Sequence, residues 1–400
     1  LLDVTDGLNE SELASIALSL NPGLKAKRLE AGLAEALVLS AGLLPNPKIG
    51  VGWRPGLGNS SGYTADAALL VELLAPGERD ARVDAATARS ATVHAEVLAT
   101  EWRVVSETRL SWLAVLSAEQ GIDLLTEEVR LREQAVAHLR SRRELGEGTE
   151  LDVVAAELEL AQIQRDLRLA TADLATSRRS LNAMLGLPPD HRLELTGSGK
   201  PLAITVFEDL SDEELDQRLL SGRLELRALE ASYEEAEHEL RLAVAKQFPR
   251  IDIGPSFDHE NDGGDYLGLG VGIAIPLFDR NQGEIAERES QRRQRRAEYV
   301  TLLHSLRATA YERRATLRRA KAELDVQARD LLPTLSRLRA LFESAFTARD
   351  INVFEWLSVR ERALTAQRGY LDAIVRYRRQ VIEFESATGL PLSRPLAERK

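Results

Sequence analysis

Cysteine is missing from all 400 residues. Its absence removes disulfides, thiolate nucleophiles and cysteine-based metal sites. It also excludes a lipidated cysteine in the chain as given. It does not fix a compartment, because an oxidising one tolerates cysteine-free proteins equally well. Long hydrophobic runs are missing too. No stretch is apolar for the roughly 20 residues that a membrane-spanning helix needs, and no N-terminal signal segment is visible. The chain starts at Leu1 rather than at an initiator methionine. That reads as a mature or trimmed form, so the missing signal says little about export. A β-barrel would pass the same hydropathy test unseen, because its strands are short and alternate.

Positive charge is the minority, with 52 Lys and Arg against 63 Asp and Glu and a formal net charge of -11. No concentrated basic patch supports nucleic-acid binding. One basic stretch, Arg288 to Arg296, is interleaved with Glu289 and Glu298 and reads as a helix face. Catalytic motifs are absent as well: no HExxH, no G-x-S-x-G elbow, no phosphate-binding glycine loop. The reading is a protein without catalysis, cofactor or resident metal. The histidines, His94, His138, His191, His238, His259 and His304, never stand at i, i+4. His259 sits with Asp258, Glu260, Asp262 and Asp265 in what reads as an acidic, polar loop able to attract a metal weakly.

What is present is a repetition. Asn21 to Trp53 reads helix, proline, alternating strand, and Gly222 to Phe257 reads the same way. Each copy continues through a second strand into long helices that close on a Leu-Pro, at Leu187-Pro188 and Leu390-Pro391. Two structural repeats follow, 1–208 and 209–400. In the first, helices are expected from Asn9 to Ser19 and from Lys25 to Leu44, with Asn9 or Ser11 as cap and Pro45 and Pro47 as stop. Strands are expected at about 48–54 and 65–74. A helical run from Arg79 to about Gly146 holds no proline. It turns at 146–149 into a second run from Leu151 to Leu185, giving an antiparallel hairpin tens of Å long at about 1.5 Å per residue. The second repeat places helices at 210–220 and 223–246, strands at about 250–257 and 266–277, and a hairpin of 284–347 and 353–388 turning at 348–352.

The strands carry the argument about environment. Ile49, Val51 and Trp53 alternate with Gly50 and Gly52; Leu267, Leu269, Val271 and Ile273 alternate with Gly268, Gly270 and Gly272. An aliphatic face with nothing to pack is a liability in water, and it is required in lipid. The lipid-facing set is Ile49, Val51, Trp53, Ile251, Ile253, Phe257, Leu267, Leu269, Val271 and Ile273. Four strands are too few to enclose an open lumen, so several chains must contribute; three would give a 12-stranded barrel. A soluble α+β protein, its four-stranded sheet covered by helices, is the competing reading.

These residues resemble the TolC family of outer-membrane efflux ducts over about 380 of the 400 positions. IPLFDRNQGEIAERESQ, Ile275 to Gln291, resembles the segment after the last strand in that family's heavy-metal branch, the CzcC/CusC-like proteins. LLAPGERDARVDAA, Leu73 to Ala86, resembles its looser first-copy version. GEGTELDVVAAELELAQ and ARDINVFEWLSVRERALTAQ stand where the family has its tip repeats, with Ala348 in place of the usual glycine and Ser358 where an acidic residue often sits. The resemblance implies a mainly α chain with a membrane β-barrel. Three copies would form a 12-stranded barrel in the outer membrane and a long helical tunnel through the periplasm. It implies a periplasmic adaptor, an inner-membrane proton-driven pump and exported heavy-metal cations as partners. A drug-efflux or type I secretion duct of the same fold, and a soluble coiled-coil scaffold, are the alternatives.

Within that frame the adaptor-docking tips are Gly146, Gly148 and Thr149 with Ala348, Arg349 and Asp350. Asp152 and Glu355 occupy the same position in the two repeats, shortly after each turn. They read either as carboxylates favoured in a first helical turn or as a ring of up to six charges gating cations at the closing end.

Overall fold

The computed structural model describes residues 7–55, 62–197, 202, 209–261, 263–347 and 353–389. In chain order the elements are α1 (Glu10–Leu20), α2 (Pro22–Ala41), β1 (Lys48–Pro55), β2 (Tyr63–Leu73), α3 (Glu78–Glu144), α4 (Glu150–Met184), α5 (Asp212–Gly222), α6 (Leu224–Ala245), β3 (Ile251–Glu260), β4 (Asp265–Ile273), α7 (Gln282–Val326), α8 (Leu332–Thr347) and α9 (Val353–Thr388). They fall into two compact units. One comprises Leu1–Lys25, Thr100–Arg223 and Ser305–Lys400; the other comprises Ala26–Ala99 and Leu224–His304.

The second unit holds the sheet. Its order is β1-β2-β3-β4, all antiparallel. Residues directly opposite each other in such a ladder share a face. The register therefore sorts the side chains. Ile49, Val51 and Trp53 of β1 oppose Leu69, Ala67 and Ala65. Val71, Leu73 and Ala67 oppose Ile253, Ile251 and Phe257. Those three, Ile253, Ile251 and Phe257, in turn oppose Val271, Ile273 and Leu267 of β4. This face is apolar up to His259 and Asp265 at one end and largely exposed, with Val51 at 80% and Leu267 at 84% while Ile251 and Ile253 are half-buried. The other face carries Gly50, Gly52, Asp66, Glu72, Asp252, Ser256, Gly268, Gly270 and Gly272. Charged groups there stand in pairs across strands. Glu72 accepts from Lys48 at 3.0 Å and from Arg250 at 3.0 Å, and Asp66 accepts from Arg54 at 2.9 Å.

Two features of the sheet depart from the alternation pattern. β3 runs on to Glu260, so Asp258, His259 and Glu260 are strand residues rather than loop. β4 stops at Ile273. Beyond it the chain turns through Pro276 and Asp279 to Asn281, which adopts the left-handed φ of 61°. The Asn281 amide nitrogen donates to Asp279 Oδ1 at 2.9 Å and its side chain donates to the Ala243 carbonyl at 2.8 Å. This ties the start of α7 to the end of α6 and gives the Asp-Arg-Asn-Gln-Gly stretch a structural task.

The first unit holds most of the apolar core. Leu13, Leu113, Leu116, Leu181, Leu185, Leu215, Leu219, Leu317, Tyr377 and Phe384 are fully buried there. Capping boxes start three of its helices: Asn9 with Glu12, Thr149 with Asp152, and Ser211 with Glu214. Each satisfies amide donors that a helix start would leave unpaired. The two halves share one close approach. Gly186, at φ 69°, lies where a Cβ would meet the Leu20 carbonyl oxygen at 2.5 Å; Gly389, at φ 77°, does the same against Gly222 at 2.3 Å. In both, a left-handed residue after a long helix seats on the end of a short one, which only glycine allows.

The run 282–347 is not one regular helix. A π-turn, Gln327–Leu331, separates α7 from α8, and the Leu332 amide reaches back to the Gln327 carbonyl. Pro333 lies just beyond. It has no N–H, and its ring clashes with the carbonyl four residues earlier in a regular helix. The wider turn accommodates it.

Candidate functional site

The α3–α4 turn is built by its sequence. α3 ends on Arg142, Arg143 and Glu144, and the Glu147 amide closes back on the Arg142 carbonyl at 2.9 Å. Thr149 then caps α4. Its amide and its hydroxyl both donate to Asp152 Oδ2, at 3.2 and 2.6 Å, while the Asp152 amide donates to Thr149 Oγ1 at 3.2 Å. These bonds hold the Asp152 carboxyl below the usual aspartate range, the Thr149 hydroxyl contributing most. Asp152 is exposed, so the carboxylate is both cap partner and surface charge. Glu355 is the third residue of α9 as Asp152 is of α4. The Glu355 side chain lies outside the described residues, as do Ala348, Arg349 and Asp350 of the second tip.

Above the turn, Asp152 borders an open cleft lined by Arg132, Leu139, Ala155, Ser358 and Leu364. Ion pairs cross it between helices. Arg132 of α3 holds Glu159 of α4, and its other Nη holds Glu361 of α9 at 2.7 Å. Arg360 and Arg368 of α9 reach Glu127 and Glu128 of α3 at 3.2 and 2.8 Å. Arg140 pairs with Glu157 at 2.6 Å and Arg143 with Glu150 at 2.5 Å. Sequence reading singled out none of these arginines. The pairs that join α3 to α9 link residues more than 200 positions apart, and spacing along one chain carries no such information. The ladder makes the helix contacts polar and exposed. Pairs of this kind contribute little each, roughly 0–1 kcal/mol, and separate at low cost.

Metal-ligating geometry is absent among the described residues, where no three His, Asp or Glu side chains converge. His259 shows why. Its Nδ1 meets Asp265 Oδ1 at 2.7 Å and its ring lies against Tyr63. Asp258 and Glu260 flank it in a strand, so they point to the opposite face. The acidic grouping expected around His259 is therefore split by the sheet. Asp262 lies outside the described residues.

Comparison with known proteins fits this geometry. Residues 13–187 match the family described as outer membrane efflux protein. The matched stretch is under half of the chain. The cobalt-zinc-cadmium resistance protein CzcC of Cupriavidus metallidurans is 23% identical over 364 residues, 91% of this chain and 84% of that protein. The Campylobacter jejuni CmeC outer membrane channel has a TM-score of 0.80 at 12% identity, covering 97% of this chain and 87% of that one. A CusC structure has a TM-score of 0.75 at 18% identity, covering 96% and 94%. At such identities the structures share the fold: mostly helical, with a small antiparallel sheet.

Proposed function

We propose that this chain is a non-catalytic outer-membrane efflux duct with a periplasmic extension, a homotrimer that serves as the outer-membrane channel of a tripartite efflux system. The two-faced sheet carries the reading. Its apolar face, with Ile49, Val51, Trp53, Ile251, Ile253, Leu267, Leu269, Val271 and Ile273, turns to outer-membrane lipid. Its glycine-rich polar face lines the lumen. Both outer strands, β1 and β4, have one unpaired edge within the chain, and an edge in lipid must be closed. Three copies supply 12 strands. Each half, 1–208 and 209–400, serves as one structural repeat. The helical hairpins form the periplasmic tunnel. Their tips, Gly146, Gly148 and Thr149 with Ala348, Arg349 and Asp350, dock a periplasmic adaptor. An inner-membrane proton-driven pump supplies the energy. Native mass spectrometry of protein extracted from outer membranes tests the assembly. A detergent-stable trimer is expected; a monomer soluble without detergent would make it a coiled-coil scaffold instead.

Cargo has two readings. A drug-efflux or type I secretion duct is served by this architecture, and the paired charges Lys48–Glu72–Arg250 and Arg54–Asp66 on the polar face suit cargo of mixed charge. Heavy-metal cations draw support from the likeness to the cobalt-zinc-cadmium resistance protein. Sensitivity of a deletion strain to cobalt, zinc, cadmium, copper and silver salts, set against organic toxicants, separates the two.

A further inference from the structure

One row of the sheet breaks the chemistry of its apolar face. The register sets Trp53 of β1 opposite Ala65 of β2, Ala65 opposite His259 of β3, and His259 opposite Asp265 of β4. Residues directly opposite share a face, so these four stand on the face of Val51, Phe257 and Leu267. No other Asp, Glu, His, Lys or Arg stands on it among the described residues. Both groups are accessible, the His259 side chain at 36% and that of Asp265 at 64%.

On the barrel reading proposed above, a charge on this face is costly at the bilayer midplane and nearly free at its surface. The height of the row agrees. From Ile273 to Asp265 the strand climbs about 27 Å at about 3.4 Å per residue, or about 21 Å of height at a tilt of about 40°. The apolar band of an outer-membrane barrel is about 25 Å tall. The row therefore lies at the outer rim, at the end of the sheet opposite the junctions with α2 and α7, where headgroups begin.

The pair is held in place. Asp265 Oδ1 lies 2.7 Å from His259 Nδ1, and the His259 and Tyr63 rings tilt together with centroids 5.9 Å apart. Tyr63 stands opposite Pro55, one row further out on the same face. An ionised carboxylate only accepts hydrogen bonds, so Nδ1 carries the proton and Nε2 of the neutral ring is an acceptor. Neither residue makes another hydrogen bond among the described residues. Nε2 and the second Asp265 oxygen are thus two open acceptors beside two aromatic rings, Tyr63 and the exposed Trp53. Between Trp53 and His259 stands only the methyl of Ala65. That leaves a notch two strand spacings wide, about 10 Å.

This combination selects its ligand. A phosphate brings acceptors and negative charge, and Asp265 opposes both. A sugar brings hydroxyl and amide donors, and its flat C–H faces lie on aromatic rings as other apolar surfaces do. We infer that Trp53, Tyr63, His259 and Asp265 form a site for the amino-sugar headgroup of an outer-leaflet glycolipid, one per chain. Breadth favours it over the single ammonium of a phospholipid. The row spans three strand spacings, about 14 Å, enough for a disaccharide.

The inference rests on the barrel reading, which turns this face to lipid, and one experiment separates the two. Protein extracted from outer membranes is stripped of lipid in detergent and titrated with deep-rough lipopolysaccharide or with phosphatidylethanolamine. Native mass spectrometry counts the bound lipid. Three glycolipids per trimer are expected, held about tenfold or more tighter than phosphatidylethanolamine. Asp265→Asn and Tyr63→Leu should each weaken the glycolipid about fivefold or more and leave phosphatidylethanolamine unchanged. Should a variant fail to assemble, the wild-type comparison of the two lipids decides alone. A wild-type trimer that holds both lipids equally, or assembled variants that hold the glycolipid as wild type does, overturn the site and leave the channel reading standing. Wild-type protein that is monomeric and soluble without detergent overturns both.

Discussion

Gly254 of β3 lies so close under Leu69 of β2 that a Cβ at 254 would stand 1.6 Å from the Leu69 carbonyl oxygen. Pro255 follows with no amide to donate, and the β2–β3 register passes from Ala68 and Ser256 to Val71 and Ile253. This is the seam where the two halves of the sequence join into one sheet. Gly254→Ala should therefore push the strands apart at a cost of about 1–3 kcal/mol, the range of enforced backbone strain. Gly270→Ala meets its nearest atom at 3.7 Å and should be tolerated. Thermal dissociation of the assembly, followed on gels, reads both. Equal behaviour of the two variants would mean that the seam is not tight.

The apolar face is tested at Val271. It stands between Gly270 and Gly272 and pairs with Ile253. Val271→Arg should cost about 2–4 kcal/mol near the bilayer midplane and lower the yield of assembled barrel. Gly50→Ser on the opposite face, where nothing lies within 4 Å of a new Cβ, should leave assembly unchanged. A reversed pattern would exchange lumen and lipid.

Arg109 tests the buried charges of the first unit. It pairs with Glu10 of α1 and with Glu385 of α9 at 2.6 Å, and Glu385 is 0% exposed. Arg109→Met takes the Arg109 cation away from that buried carboxylate, a loss of roughly 3–5 kcal/mol. Adding Glu385→Leu should recover much of it, because two apolar groups replace a desolvated pair. Chemical denaturation of the three proteins checks this, and a double variant no better than the single one would refute the coupling.

Asp152 and Glu355 share a helix position, and their neutralisation tests the proposal that they gate cations. Asp152→Asn with Glu355→Gln removes up to six negative charges from a trimer. Cation preference and block by multivalent cations from the periplasmic side should both fall in planar-bilayer recordings. Unchanged reversal potential and block would make the two carboxylates helix-start residues only.

The pH dependence at Asp152 has a definite sign. Thr149 bonds the ionised form, so the folded carboxyl titrates lower than the unfolded one. The stabilisation is present above the ordinary aspartate range and is lost as pH falls through the lowered folded value. Thr149→Ala should move the Asp152 titration up toward the ordinary value, read by NMR. An unmoved titration would assign the shift to another group.

Much of this was legible in the sequence because it is local. Alternation at Ile49, Val51 and Trp53 shows the two faces without any structure, and Thr149 to Asp152 has the spacing of a cap. Pro333 gave a legible warning of a break in the long helix, and a regular run to Thr347 overlooks it. The Arg132, Arg360 and Arg368 pairs were not legible, since charges recur on every exposed face and only folding chooses partners. The Gly254 contact was hidden for a different reason. A glycine among alternating glycines looks like lumen lining, and its close neighbour belongs to the other half of the chain.

The π-turn at Gln327–Leu331 has a consequence for anyone treating the halves as copies. α3 passes the corresponding stretch without interruption, whereas the second half inserts about one extra residue into a turn. One residue of α-helix is about 100° of rotation. A constant numerical offset that aligns the strands therefore assigns the wrong side of the helix to every position past Leu331. Mutational data from one arm transfer to the other only after that twist has been subtracted.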